Sequence, residues 1–161
     1  MTTELNPACR PLRSLLGKWR GDGAVDYPTI DGPRRFSQEI TVAHDGRPFL
    51  SYESRTWLLD ADGTVVRPAA REVGWWRPQP ESVELVLAHS SGIVEVFYGK
   101  FTGGGWQLQT DVVVPTRTAK SVDAATRLYR ISDGVLEIAE QRAMVGQPLQ
   151  PHTSARLTIA P

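Results

Sequence analysis

What most limits the fold of this chain is its punctuation. Short runs of alternating polar and apolar residues succeed one another along most of its length, and they are separated by glycine-bearing turns. Asp45-Gly46, Asp62-Gly63, Ser91-Gly92, Gly103-Gly104-Gly105 and Asp133-Gly134 each lie between two such runs, and glycine supplies the positive φ that tight hairpins require. About ten strands are expected, near 18–27, 35–44, 47–58, 64–77, 82–89, 93–102, 105–114, 120–132, 135–146 and 152–159. Consecutive hairpins make a meander, and a meander of that many strands leaves two exposed edges unless it closes on itself. The expected fold is therefore all-β, an antiparallel up-and-down barrel wide enough to enclose a ligand cavity. One short helix precedes it: Asn6 can cap it, Pro7 suits its first position, Leu12, Leu15 and Leu16 follow at helical spacing, and it ends near Gly17.

Residues 1–161 are expected to form a single domain, long enough to bury a core without disulfide staples. The 18 Lys and Arg balance the 18 Asp and Glu, with no run of like charge, which argues against a partner bound through its phosphates. Cys9, the only cysteine, has no internal partner and either suits a reducing compartment or is incidental. No apolar stretch approaches the ~20 residues that span a bilayer. The opening MTTELNPACRPL lacks the charged head and apolar centre of a secretory signal, so a cytoplasmic location is expected.

Three histidines could carry chemistry. His44, His89 and His152 are too far apart for a local motif such as HExxH, and a single cysteine excludes a thiolate zinc cluster. His44 directly precedes the Asp45-Gly46 turn. His89 shares the parity of Val83, Leu85 and Leu87 and so joins an apolar row. His152 opens the last strand after the rigid lead-in GQPLQP. One histidine facing a large apolar cavity, with no second ligand close in sequence, is what five-coordinate haem iron needs. There is no GxSxG, and the acidic residues, spread through alternating strands, read as solvent-facing rather than as a hydrolytic pair. Gly103-Gly104-Gly105 reads as a turn and not a phosphate loop, because no Lys-Ser/Thr follows. In Gly17-Lys18-Trp19-Arg20-Gly21-Asp22-Gly23 the glycines allow tight passage from helix to strand, and Trp19 plugs one end of the barrel. Thr29, in Tyr27-Pro28-Thr29-Ile30, lies at the barrel mouth, where it can line a pocket or cap a turn.

GKWRGDG fits the pattern GxWxGxG at every fixed position. With YPTI at 27–30, AHDGRPFLSY at 43–52, LAHSSGIVEV at 87–96 and VGQPLQPH at 145–152 following in order, the chain from about Leu15 to Leu157 resembles the nitrobindins. These are small haem-binding barrels of the lipocalin and fatty-acid-binding-protein kind. The resemblance implies a ten-stranded barrel holding one haem b near its mouth, with His152 as axial ligand, Thr29 in the haem pocket and Lys120 in contact with the haem. It puts His89 in the same pocket region, but not on the iron. It also implies that ferric haem binds nitric oxide and isomerises peroxynitrite to nitrate, and that the protein is a homodimer, although the sequence shows no interface signature. One departure stands out: relatives carry a methionine about ten residues before the axial histidine, where this chain has Arg142, with Met144 displaced by two. If Arg142 points inward, haem fit or pocket polarity changes; if it points outward, nothing follows.

Two other function classes share the architecture. A barrel can carry a fatty acid, another small apolar ligand or haem itself without doing chemistry. A structural or interaction protein could instead fill its cavity with Trp57, Trp75, Trp76 and other aromatics.

Overall fold

The computed structural model describes residues 2–161. Its ten strands are β1 (Gly17–Val25), β2 (Arg34–Ala43), β3 (Leu50–Leu59), β4 (Val65–Pro78), β5 (Val83–His89), β6 (Ile93–Thr102), β7 (Gly105–Pro115), β8 (Val122–Ser132), β9 (Val135–Met144) and β10 (Gln150–Ile159). Each pairs antiparallel with its neighbours in sequence, and β1 pairs with β10 to close the cylinder. The five glycine turns connect strands as expected. A further tight turn, which the sequence did not mark, joins β9 to β10: Val145 and Gly146 both have positive φ (51° and 74°), and the Gln147 N–H donates to the Met144 carbonyl at 2.9 Å. A β-branched residue in this region is a backbone outlier.

The leading helix is a 3-10 helix over Pro7–Leu15 rather than an α-helix. Its buried residues, Cys9, Leu12 and Leu15, are three apart, the period at which 3-10 side chains stack, and Pro11 inside it has no N–H to give. Leu16, expected on the buried face, already has extended backbone. The Asn6 side chain accepts from the Ala8 N–H at 3.0 Å, as a cap should. The helix covers one end of the barrel, where Trp19 donates its indole N–H to the Leu15 carbonyl at 2.9 Å. A Cβ on Gly23 would lie 2.4 Å from the Phe36 ring and 2.4 Å from the Ser154 carbonyl oxygen, so this glycine is required by close packing. Trp19 and Gly23 of GKWRGDG thus take part in packing at the start of the barrel.

The closed end is apolar. Leu50, Leu85, Leu87, Phe97, Leu136 and Leu157 are fully buried around Trp76, whose ring meets those of Tyr52, Trp106 and Tyr129 edge-on at 6.4, 6.2 and 5.0 Å between centroids. Each such aliphatic side chain contributes about 1.5–3 kcal/mol by leaving water.

Candidate active site

Past Tyr52 and Tyr129, the inward-facing rows change character. Leu50 and Tyr52 on β3 lead to Ser54; Trp76 and Gly74 on β4 lead to Glu72; Leu85 and Leu87 on β5 lead to His89; Tyr129 on β8 leads to Arg127; Leu136 and Ile138 on β9 lead to Glu140 and Arg142. Glu95 on β6, between Ile93 and Phe97 in the same parity, has no exposed surface. These residues converge. Arg127 grips Glu72 with two parallel hydrogen bonds of 2.8 and 2.7 Å, reaches Glu140 Oε2 at 2.8 Å and donates to the Tyr129 hydroxyl at 3.0 Å. Arg142 donates Nε–H to Glu140 Oε1 at 2.9 Å. His89 lies between two carboxylates, its Nδ1 3.4 Å from Glu72 and its Nε2 against Glu95.

Above this ionic floor opens a cavity of about 430 Å³. Val25, Phe36, Ile138, Met144 and Ala155 form apolar wall, while Glu72, His89, Arg127, Glu140, Arg142 and His152 supply the polar lining. Arg142 points inward and is only 8% exposed, so pocket polarity changes relative to a methionine at this position. The expectation of a large apolar cavity is corrected to one with a mixed lining, and the reading of the acidic residues as solvent-facing fails for Glu72, Glu95 and Glu140. Strand parity turns these three inward, and guanidinium partners from other strands make their burial tolerable.

Electrostatics fix the charge states. Burial alone would raise the carboxyls of Glu72 and Glu140, but Arg127 faces both, and Arg142 and His152 also face Glu140, so both are held below the usual carboxylate range. Burial opposes the charge on Arg127, yet the facing carboxylates outweigh it and hold the group well above its ordinary value. The phenols of Tyr52 and Tyr129 are pushed up, chiefly by burial, and stay neutral.

His152 is placed by four separate devices. The pairing of β10 with β9 skips it, a bulge between Pro151 and Thr153 that breaks the strict alternation of the strand. Its carbonyl accepts from the Asp26 N–H at 3.0 Å. Its ring meets Tyr27 edge-on, with centroids 5.4 Å apart. Its Nδ1 lies 3.0 Å from Glu140 Oε1. Tyr27 is itself pinned, its hydroxyl donating to the Arg142 carbonyl at 2.9 Å and accepting from the Met144 N–H at 3.1 Å.

The structure thus brings His89 and His152 to one cavity. Thr29 is exposed in the turn following β1, and Lys120 is exposed in the β7–β8 connection; neither belongs to the cavity lining. His44 precedes the β2–β3 turn, whose Gly46 carbonyl accepts from the Asn6 side chain at 3.1 Å, and so belongs to the helix end. Trp76 fills the closed end, Trp75 faces outward, and a cavity remains beside His152, against the reading in which aromatics fill it. Sequence reasoning missed Glu72, Glu95, Arg127, Glu140 and Tyr27. Their signal was parity: Ala125-Arg127-Tyr129 and Ile93-Glu95-Phe97 each set a charge inside a buried row.

A family model described as a THAP4-like, heme-binding beta-barrel domain matches residues 8–158. A protein of Streptomyces griseus named peroxynitrite isomerase is 48% identical over 154 residues, covering 94% of this chain and 83% of that protein. A ferric nitrobindin-like protein of Saccharopolyspora erythraea is 48% identical over 157 residues, covering 96% of this chain and 74% of its own length. The crystal structure of Rv2717c from M. tuberculosis superposes with a TM-score of 0.87 at 42% identity, covering 98% of this chain and 100% of that one. By its motifs, its closed ten-stranded barrel and these matches, the chain belongs to the THAP4-like haem-binding β-barrel family.

Proposed function

We propose that this chain, acting over residues 1–161 as one nitrobindin-like unit, holds one haem b through His152 and isomerises peroxynitrite to nitrate, its ferric haem also binding nitric oxide. The observation that carries the reading is the presentation of His152. Glu140 engages Nδ1, which leaves Nε2 as the donor for iron, the arrangement that metal-ligating histidines usually adopt. The residues present fit the group: the cavity falls within the range of cofactor pockets, and Phe36, Ile138 and Met144 offer apolar contact to a flat macrocycle. The family resemblance adds Thr29 and Lys120 as haem contacts from the loops that carry them, and His89 from the inner wall.

Haem held there by His152 would supply the ferric iron chemistry that turns peroxynitrite into nitrate. The chain's own work is to orient and enclose. Glu140 holds the Nδ1–H tautomer, Arg142 keeps Glu140 in place, and the barrel wall shields the site from bulk water. A fatty-acid carrier fits less well, because each guanidinium at the cavity floor already faces a carboxylate.

Hemin-loaded protein is expected to speed peroxynitrite decay with nitrate as main product and to protect free tyrosine from nitration, while the apo protein is inactive. His152→Ala should lose most haem affinity, whereas His44→Ala, altered at the helix end, should titrate with hemin as the wild type does. Loaded protein no better than free hemin would remove the isomerase reading and leave a haem carrier.

We further place the protein in the cytoplasm, where Cys9, buried and free of any disulfide, stays reduced. Among the described residues no helix is long and apolar enough to cross a membrane. A second copy of the chain is the proposed partner. On the outside of β4–β7, Val73, Ala88, Val94 and Val114 form one row across four strands, and Trp75, Val86, Val96 and Val112 form the next. Val73, Trp75, Val94, Val112 and Val114 are 40% to 54% exposed, an apolar face of the kind that marks an interface. A homodimer with twofold symmetry would cover it in both copies at once. Light scattering should show a dimer that Val94→Lys with Val112→Lys converts to monomer.

A further inference from the structure

We propose that Glu140 is a positioning residue that sets the donor strength of His152, and through it the preference of the site for ferric over ferrous haem. The inference rests on the reading that His152 carries the iron.

The argument begins with how completely Glu140 is held before any cofactor arrives. Glu140 is buried, faces Thr153 across the β9–β10 ladder, and so stands beside the bulge that frees His152. Its Oε2 takes Arg127 Nη2 at 2.8 Å, and its Oε1 takes both Arg142 Nε at 2.9 Å and His152 Nδ1 at 3.0 Å. Each partner comes with a fixed address: Arg127 is gripped by Glu72, and Arg142 is buried on the same strand as Glu140. The carboxylate cannot swing away from the imidazole without abandoning two guanidiniums in a buried site.

A carboxylate accepting from Nδ1–H draws that proton toward itself and leaves more electron density on Nε2. Greater density at the donor stabilises the more highly charged iron, so ferric haem gains more than ferrous haem. Arg142 works in the opposite sense. It donates to the same oxygen as His152, so it weakens the pull of Glu140 on the imidazole proton. The two side chains form a graded control on one ligand, with Glu140 strengthening the donor and Arg142 restraining it.

The test uses hemin-loaded full-length protein and four variants, read by hemin titration, by spectroelectrochemical midpoint potential and by the iron–histidine stretching vibration of the ferrous form. Glu140→Gln can still accept from Nδ1–H and so keeps the ring oriented. It should bind haem, lower the vibration frequency, and lose about tenfold more affinity for ferric than for ferrous haem, equivalent to a potential raised by about 59 mV. Arg142→Gln should move both readings the other way. Glu53→Gln removes a carboxylate on β3 that pairs only with Arg55 and Arg71, away from the cluster, and should leave the vibration unchanged. Glu140→Gln with wild-type vibration and potential would overturn the inference, and so would Glu140 and Arg142 variants that shift in the same direction. A Glu140→Gln protein that folds, by thermal melt, yet takes up no hemin would also overturn it, since the residue would then build the pocket rather than tune the donor. His152→Ala separates the two readings: undiminished hemin affinity there removes His152 from the iron and leaves the result at Glu140 without that meaning.

Discussion

The two halves of this barrel are made by the same strands under the same alternation, yet they are held in different ways. At the helix end, Trp76, Leu85, Phe97 and Leu157 meet in contacts without direction, and each tolerates small movements of its neighbours. At the mouth, Arg127, Glu72, Glu140, Arg142 and His152 meet through hydrogen bonds, and the place of each is set by its partner. The apolar half supplies stability. The ionic half bears desolvation that apolar packing would avoid, and gains a histidine held in a single orientation.

That contrast can be broken at either end. The largest effect is expected for Arg127→Met, which leaves Glu72 buried without its guanidinium and strips Glu140 of one of its two: about 5 kcal/mol at neutral pH, by denaturant titration. Trp76→Ala should cost about 4 kcal/mol from the other half, with hemin uptake retained by the protein that remains folded. Acid should then tell the halves apart. The folded-state values of Glu72 and Glu140 lie below their unfolded values, so the stability they contribute is fully present above about pH 4.3 and is lost as pH falls through the folded values. The penalty of Arg127→Met should therefore shrink in acid while that of Trp76→Ala persists. The smallest effect belongs to the turn that carries the chain from β9 into β10. Val145→Asn, with a residue that accepts positive φ more readily, should raise stability by about 1 kcal/mol and leave the hemin titration unchanged.

The barrel was legible because its signals are local. Most hairpins carry a glycine near the tip, the β4–β5 turn over 79–82 and the β7–β8 connection over 116–121 being without one, and most strands show their own alternation, so ten strands could be counted without knowing how they close. The Pro-bounded motif singled out His152, which the fold turns to the cavity, and GKWRGDG singled out Trp19, which it buries. The ionic cluster was not, because parity tells which residues share a face and not which faces meet. Glu72 and Arg127 lie 55 residues apart, and only closure brings them together. Taken alone, Glu95 between Ile93 and Phe97 looks like a flaw in an apolar row. The bulge at His152 leaves no compositional trace, and the 3-10 form of the leading helix showed only in the three-residue spacing of Cys9, Leu12 and Leu15, where a wider helical stripe through Leu16 competed with it.

The seam between β1 and β10 carries a consequence for how the protein is made. His152 stands on the last strand of the barrel, and the residues that brace it, Asp26 and Tyr27, lie just past the first. Synthesis at about 5–20 residues per second separates the two by many seconds. Until β10 leaves the ribosome there is an open sheet with one unpaired edge on each side, and no complete cradle for a cofactor. The brace around His152 therefore joins the two ends of the barrel and is complete only once β10 has closed against β1.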